Sequence, residues 1–514
     1  MVGSRALRLA VAERHERAFA LGLVLLFFVV YSLLAILRHQ SFHSTAYDLA
    51  VYDQIFWNTV NGRPLESTLD RGLCGPVSFF GGHFEPILLA IVPLYALVPR
   101  PETLLVVQTA ALAGGVWPIY LLARHRLAPG FERLAWVAAY FLVAPLAHIA
   151  LFDFHAVPLA ILPLGLALYF LERGRTAFFL ASLVVGFLVK EEIPLIGMAF
   201  GAYVLLAKRR WRLGVGVVAL SLAWFVVAVR VVIPAFGAEG YHYTDFYAGL
   251  GDSEVEIVRT LLTDPARVAN VLLVDLRMKM RYVAAMFGPG LGLSLLSGWA
   301  VLLNAPTLAY TLLSNYSHQY SLQAHYPAPL IPLALGTAVL GMARLRGRLR
   351  RAAPFGVIAS SLLFAHLYGE LPFSRPFDAG QFAREARYEP FMREVRAIPV
   401  AASVTAQDFV ATHVARRRRI HYLGFQGDCD PGEYVILDYA DPQFVKKDRA
   451  KHRAEIERFK RRGYQEIVAG DGLMLMRDER VGIRARDRAR PDREALGPRA
   501  PTDARRRTAV QLSR

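Results

Sequence analysis

Four groups of ionisable residues lie beside long apolar stretches of this sequence. Their members are Asp48 and Asp53; His83 and Glu85; Asp153 and His155; and Lys190, Glu191 and Glu192. Ionisable side chains at membrane depth are costly and usually serve a function, each with a partner. A carboxylate could act as a general base, a lysine could bind an anion, and a histidine beside a glutamate could bind a divalent metal or a phosphate.

Each group also has a purely structural interpretation. Asp48 and Asp53 are about 140° apart around a helix, so only one of them can point squarely into a site. Both could be solvated carboxylates of a plain interfacial helix over Ser41–Pro64. His83 could be an ordinary interfacial histidine, the Asp153 group could cap a span, and Lys190 could form an internal ion pair with Glu191 or Glu192.

The composition indicates a polytopic membrane protein. Of the 514 residues, 54% are hydrophobic, and the apolar residues form repeated long blocks. The block Ala18–Leu37 predicts a retained first span, and the arginines before it predict a cytoplasmic amino terminus. Much of the net charge of +17 lies in short loops and in the tail. That pattern is typical of the positive-inside rule, and we therefore predict no nucleic-acid partner.

The basic clusters and apolar blocks predict about 11 transmembrane helices with additional short interfacial helices. Pro86–Val98 is too short for a span and fits an interfacial or re-entrant helix. Thr176–Ala207 predicts two short helices joined by the charged turn at Lys190. Tyr282–Leu313, interrupted by Gly288-Pro289-Gly290, predicts another hairpin. An odd number of crossings would place the carboxyl-terminal part outside the cytoplasm.

The sequence divides into three regions. Residues 1–372 form the predicted transmembrane module, in which 38–99 is the first outer loop. Residues 373–478 alternate strand and helix patterns and predict a small extracytoplasmic α/β domain. Residues 479–514 are rich in arginine, alanine, aspartate and proline and predict a disordered basic tail. Cys74 and Cys429 could pair outside the cytoplasm, but the sequence favours two free thiols over a disulfide.

Four motifs in order carry a family resemblance: YDLAVYDQIFWNTVNGRP, HFEPILLAIVPLYAL, FDFHAVP and LVKEEIP. They resemble a bacterial family of predicted membrane proteins known as domain of unknown function 2079. That family is in turn similar to the GT-C class of integral-membrane glycosyltransferases. The resemblance is close over about Ala18–Ala207 and loose in the later spans.

The resemblance implies roles for the ionisable residues. Asp48 matches the catalytic base of the first outer loop, and Lys190 matches the lysine that binds the lipid phosphate of the donor. His83 and Glu85 match a divalent-metal or phosphate site, and no other cofactor is implied. Asp53, Asp153, His155, Glu191 and Glu192 would support the site or bind the acceptor. Asp48 is followed by Leu49 rather than by a second acidic residue, and glutamates replace the glycine often found after the lysine.

The resulting hypothesis is a glycosyltransferase of the plasma membrane that takes a hexosyl or pentosyl group from a polyprenyl-phosphate donor. Its acceptor would be a glycan, lipid or protein of the cell envelope. Two alternatives remain at this stage. A transporter or lipid flippase would use the same charges to line a path, and a non-catalytic scaffold would bind a partner through its outer domain.

Overall fold

The computed structural model describes residues 2–70, 74–237, 242–423, 429–440 and 449–480. The predicted basic tail from residue 481 onward lies outside these ranges. Within them, helices occupy the chain up to Tyr368, and a mixed sheet with flanking helices follows.

Among the described residues, four helices are long and apolar enough, by length and composition, to cross a membrane. They are Glu13–Gln40, Pro101–Arg126, Trp211–Phe236 and Leu293–Leu312. The bent pair Phe131–Leu142 and Ala144–Leu151 makes a fifth if it is counted as one span. Five further apolar helices of 10–17 residues are Leu88–Leu97, Val157–Glu172, Thr176–Phe187, Ile193–Leu206 and Leu330–Met342. The number of about 11 crossings stays a prediction.

The helix Leu330–Met342 is the centre of the helical part, because every one of its residues is buried. It packs on the segment Leu293–Asn304, whose backbone kinks at Gly298. The approach is so close at Gly341 that a β-carbon there would lie 1.8 Å from the carbonyl oxygen of Leu293. Only glycine fits at this crossing.

The two short helices predicted around Lys190 are present as Thr176–Phe187 and Ile193–Leu206. Leu88–Leu97 supplies the short helix predicted within Pro86–Val98. In the predicted hairpin Tyr282–Leu313, the first arm is not an apolar helix. This arm belongs to Leu276–Phe287, a helix of 12 residues that carries Arg277, Lys279 and Arg281. Those three charges explain why this arm does not count among the apolar helices.

The first outer loop also contains a short helical region near its start. It consists of Ala46–Ala50 in π conformation, followed by the α-helix Val51–Val60. The sequence predicts a short amphipathic helix at the membrane surface, with its polar groups facing a cavity. In the structure, all residues from Leu49 to Phe56 are buried. The carboxyl-terminal part covers this helix: the Asp408 side chain accepts a hydrogen bond from the Ala46 amide, and Gln54 Nε2 donates to the Arg417 carbonyl. The predicted helix is present, but its cover was not foreseen, because sequence periodicity does not show that a distant domain lies on top.

The carboxyl-terminal sheet has five strands, in the order Ile420–Tyr422, Val404–Ala406, Tyr434–Asp438, Leu473–Asp478 and Tyr464–Gly470. The first three are parallel, and the last two pair antiparallel. Four of these strands overlap the stretches whose sequence has strand character, which are Ala402–Ala406, Ile420–Leu423, Glu433–Asp438 and Tyr464–Ala469. Leu473–Asp478 was missed, although it lies in the middle of the sheet and pairs with two neighbours.

A disulfide joins Cys74 to Cys429, across 355 positions of sequence. The preference for free thiols was therefore wrong. It was based on the distance between the cysteines in sequence, whereas the fold brings the first outer loop against the carboxyl-terminal domain.

The described residues also form the helices and the short strand pair whose bounds follow. The other helices are Val2–Gln40, Pro101–Gly114, Val116–Arg126, Ile161–Glu172, Trp211–Val227, Ala228–Val232 (π), Ile233–Phe236, Glu254–Thr263, Pro265–Leu273, Ala305–Leu312, Gly347–Tyr368, Tyr388–Arg396, Asp408–Ala411 and Arg449–Arg461. The 3-10 helices are Phe79–Gly81, Val157–Ala160, His242–Tyr247, Leu293–Asn304, Ser317–Tyr320 and Ala379–Phe382. Strands Glu66–Ser67 and Val77–Ser78 pair antiparallel in the first outer loop.

Candidate functional site

Asp48 and His155 form an ion pair between the first outer loop and the turn after Ala144–Leu151. His155 Nε2 lies 3.1 Å from Asp48 Oδ1. His155 Nδ1 lies 3.1 Å from the carbonyl oxygen of Asp153, which can only accept, so Nδ1 carries a proton.

The ionised state of Asp48 follows from these neighbours. Burial raises the pKa of Asp48, but the charge of His155 and hydrogen bonds from His155 and Thr45 outweigh it, so the pKa lies below the usual value. The side chain of Asp48 keeps 21% of its surface exposed, twice the fraction of His155. Asp48 therefore presents an ionised and partly exposed carboxylate.

Asp153 anchors this arrangement. Its Oδ2 accepts a hydrogen bond of 2.7 Å from the amide of Thr45, and the Thr45 hydroxyl contacts both Asp153 and Asp48. Arg38, at the end of the first helix, lies 3.5 Å from Asp153 Oδ1. Asp153 thus ties the first helix to the loop that carries Asp48. We call Thr45, Asp48, Asp153 and His155 the Asp48 group.

A second set of charges surrounds Lys190; we define the Lys190 group as His83, Glu85, Lys190, Glu191 and Glu192. Glu191 Oε1 lies 2.8 Å from His83 Nδ1, and Glu191 Oε2 accepts from the Phe84 amide. Glu191 is therefore engaged by the outer loop. The ion pair of Lys190 is with Glu192 Oε1 at 3.8 Å, beyond hydrogen-bond distance. Only 8% of the Lys190 side chain is exposed, so its charge lies inside the protein and also interacts electrostatically with Glu85.

Two side chains connect the groups. Tyr52 donates a hydrogen bond of 3.0 Å to Glu85 Oε2, and the edge of its ring contacts His155. His325 stacks on His155 with ring centroids 3.6 Å apart, and Tyr326 stands next to it and interacts electrostatically with both Lys190 and Asp48. The Asp48 and Lys190 groups consequently share one polar interior.

Asp53 does not join either group. It is fully buried, and its Oδ1 accepts a hydrogen bond of 2.5 Å from the Tyr95 hydroxyl. Arg416 of the carboxyl-terminal part approaches its Oδ2 at 4.0 Å. Burial raises the pKa of Asp53 to about 7. This geometry agrees with the expectation that only one of the two aspartates faces a site.

Comparison with known protein families identifies a family for this chain. The family described as "Predicted membrane protein (DUF2079)" matches residues 38–475. The chain belongs to this family. The family predicted from the four sequence motifs is thereby confirmed, and the chain is a membrane protein. No curated protein matches the chain significantly.

Two solved structures are similar to this DUF2079 protein over most of its length. One is ArnT from Cupriavidus metallidurans bound to undecaprenyl phosphate, at 12% identity and a TM-score of 0.47, covering 88% of this chain and 98% of that one. The other is the apo oligosaccharyltransferase of Archaeoglobus fulgidus, at 13% identity and a TM-score of 0.41, covering 89% of this chain and 74% of that one. The family assignment stands on the family match alone.

The predicted metal site at His83 and Glu85 does not fit the geometry. His83 Nδ1 faces Glu191, and Nε2 lies 2.7 Å from the Tyr243 hydroxyl, so both nitrogens already have protein partners. Among the described residues, no group of three or more histidine, cysteine, aspartate or glutamate side chains could hold a metal ion. Metal binding at His83 and Glu85 stays a prediction, and the proposed chemistry does not depend on it.

Sequence reasoning missed several residues of this interior: Thr45, Tyr52, Tyr243, His325 and Tyr326. His325 and Tyr326 stand in a polar stretch directly before Pro327 and the central apolar helix. That interruption of the apolar sequence was the signal from which His325 and Tyr326 could have been predicted as candidate site residues. Which polar residues of the stretch face the Asp48 group depends on the three-dimensional path of the chain.

The protonation of the buried Glu85 can be tested through the pH dependence of the free energy of unfolding. Burial raises the pKa of Glu85 to about 8, although Lys190 opposes the shift. Between the unfolded value of 4.5 and about 8, the folded state holds a proton that the unfolded state has lost. Stability contributed by this group is therefore complete below pH 4.5 and is lost as the pH rises through 8.

We expect the Glu85→Gln variant to be more stable than the wild type at pH 8, by a few kcal/mol at most (about 1.4 kcal/mol per pKa unit). The measurement is thermal unfolding of the detergent-solubilised full chain from pH 5 to 8.5. The exposed residue Glu394 supplies the control Glu394→Gln, which should keep the wild-type profile. Parallel profiles for the wild type and Glu85→Gln would contradict a protonated Glu85.

Proposed function

We propose that this DUF2079 protein is a GT-C-type membrane glycosyltransferase that transfers a hexosyl or pentosyl group from a polyprenyl-phosphate-linked donor to an acceptor outside the cytoplasm. One observation carries the proposal: an ionised, partly exposed Asp48 and a buried Lys190 share one polar interior. A base and a phosphate-binding cation are the two groups that transfer from a lipid phosphate needs.

Asp48 acts on the acceptor. Its carboxylate accepts a hydrogen bond from the acceptor hydroxyl and takes the proton as the oxygen attacks the anomeric carbon. His155 and Asp153 are positioning residues, because they hold Asp48 through the ion pair and through Thr45. The low pKa of Asp48 makes it a weak base, which suits a reaction in which the proton leaves late, after the sugar has developed positive charge.

Lys190 acts on the donor. As the bond between the anomeric carbon and the phosphate oxygen breaks, the leaving phosphate gains negative charge beside the ammonium of Lys190. Glu192 Oε1 lies 3.8 Å from Lys190 Nζ, so this ion pair leaves room for a phosphate oxygen to approach the ammonium more closely. Glu191 holds His83 and the Phe84 amide and thereby fixes the outer loop against the turn at Lys190. The polyprenyl tail would lie between the apolar helices.

The site is proposed to face the outside of the cell membrane, with a cytoplasmic amino terminus. The Cys74–Cys429 disulfide and the hydrogen bonds from Ala46 and Gln54 to the carboxyl-terminal domain support a common side for the outer loop and that domain. We expect alkaline phosphatase fused after Arg477 to be active and a cytoplasm-dependent fluorescent protein fused there to be dark. The reverse pattern would overturn this topology.

The function is tested with the purified full chain and a polyprenyl-phosphate sugar that carries a radiolabel in the sugar. Incubation with cell-envelope extract should move label to an acceptor and release polyprenyl phosphate in equal amount. A lipid flippase would instead move intact donor across proteoliposomes without cleaving it. Movement of label across the bilayer with no release of polyprenyl phosphate would replace the proposed function with that alternative.

A further inference from the structure

A cavity of about 330 Å³ lies between the first outer loop and the carboxyl-terminal domain, apart from the Asp48 and Lys190 groups. Trp57 and Pro99 line one side of it. Residues of the domain line the other, including Met392, Val395 and Ile398. Its volume is at the lower end of the range for small-ligand pockets, about 300–1,000 Å³.

The polar lining of this cavity is cationic. Arg396, Arg416 and Arg417 all contribute to it. Arg416 is half exposed; its Nη1 donates a hydrogen bond of 3.1 Å to the Pro99 carbonyl, and its nearest acidic group is the Asp53 carboxylate at 4.0 Å. Arg396 lies on the helix Tyr388–Arg396 and is exposed. The lining contains no acidic side chain.

Arg417 is the decisive residue because it is a buried cation without a counter-ion. Only 5% of the residue is exposed. Its Nε donates to the Val414 carbonyl and its Nη1 donates to the Ala402 carbonyl, so the guanidinium is held rigidly. In the part of the chain that the structure describes, no carboxylate forms an ion pair with it. Buried charges in proteins are usually paired, because an isolated one is costly.

The position of the cavity indicates where an anion would come from. Pro99 directly follows Leu97 and Val98, whose side chains are 80% and 51% exposed. Exposed apolar residues at the end of the short apolar helix Leu88–Leu97 suit contact with a membrane surface. A ligand that combines a phosphate with an apolar body matches both the arginines and the apolar wall.

We propose that this cavity binds the phosphate of an anionic lipid headgroup, with Arg417 and Arg396 as its main ligands and Trp57 packing against the adjoining apolar part. Guanidinium groups hold phosphate through paired, charge-assisted hydrogen bonds. Bound in this way, the lipid would lie between the outer loop and the carboxyl-terminal domain and connect the two. This site is separate from sugar transfer, so it stands or falls independently of the proposed function.

The test is native mass spectrometry of the detergent-solubilised full chain with phosphatidylglycerol and, as the neutral comparison, phosphatidylcholine. The wild type should bind phosphatidylglycerol more tightly. Arg396→Gln should weaken that binding roughly tenfold, as expected for one lost charge-assisted contact. Arg393→Gln is the matched control, because Arg393 is exposed on the same helix and does not line the cavity.

Arg417→Met should weaken phosphatidylglycerol binding further than Arg396→Gln. If that variant fails to fold, the exposed Arg396 and Arg393 variants still decide the question. Displacement of the lipid by millimolar inorganic phosphate would show that the phosphate group alone is recognised, and resistance to displacement would show that the whole headgroup is. Equal affinity for the two lipids, or equal effects of Arg396→Gln and Arg393→Gln, would overturn the proposal.

Discussion

The Asp48→Asn variant should lose about 10²–10⁴ of the transfer rate while keeping nearly wild-type yield and thermal stability, since a positioned general base contributes about that much. The asparagine side chain has almost the same shape; its one carbonyl oxygen can accept from His155, and its amide nitrogen can donate to the Thr45 hydroxyl oxygen. It cannot take the acceptor proton. The measurement is release of polyprenyl phosphate under single-turnover conditions.

Asp53→Asn is the matched control for Asp48→Asn. Asp53 lies five residues further along, is fully buried and bonds to Tyr95, away from the polar interior of Asp48 and Lys190. We expect a transfer rate within about threefold of the wild type, as for a residue with no role in the chemical step. If Asp53→Asn abolishes transfer and Asp48→Asn does not, the assignment of the base to Asp48 is wrong.

The second large effect is expected at Lys190. Lys190→Ala should weaken the binding of a polyprenyl-phosphate analogue about 10- to 100-fold, which is the usual contribution of one charged hydrogen-bond donor. Lys190→Arg should restore part of it, because the charge remains although the compact ammonium does not. Folded yield should stay near that of the wild type, since burial raises the pKa of Glu192, the ion-pair partner of Lys190, to about 7, and this carboxyl can hold a proton once the lysine is gone.

The structure shows which glutamate would be the partner if Lys190 only formed an internal ion pair. Glu191 is engaged by His83 and the Phe84 amide, whereas Glu192 is the residue in an ion pair with Lys190. If Lys190 served only to neutralise Glu192, Lys190→Ala would leave a buried charge unpaired at a cost of about 3–5 kcal/mol. Folded yield would then fall, Glu192→Gln would restore it, and Glu191→Gln would not. That outcome, with lipid binding unchanged in the double variant, would remove Lys190 from the site.

Local sequence patterns predicted much of the helical part. Apolar blocks gave the first span, and the charged turn at Lys190 fell between two short helices as expected. Such features depend on hydrophobicity and on charge along a short stretch, and both can be read from residues within one element. The sheet strand Leu473–Asp478 escaped because its run of leucine and methionine, LMLM, lacks alternation; both of its faces are buried over the first four residues.

Long-range partners could not be predicted in the same way. Asp48 was selected by its place in the outer loop, but its pairing with His155 spans more than a hundred residues. The Cys74–Cys429 disulfide and the cover over the helix Val51–Val60 both depend on where the carboxyl-terminal domain docks. Docking is decided by the complementarity of two surfaces, and no single segment of sequence contains both.

The central claim is that the phosphate of a polyprenyl lipid lies at Lys190 within reach of Asp48. It is tested most directly by a polyprenyl phosphate with a photoreactive diazirine on its first isoprene unit, cross-linked to the full chain and mapped by peptide mass spectrometry. We expect adducts in the peptides that hold His83–Glu85, Lys190–Glu192 and His325–Tyr326, and we expect unlabelled lipid phosphate to suppress them. Adducts confined to the cavity at Trp57 and Arg417, or spread evenly over the apolar helices, would contradict the claim.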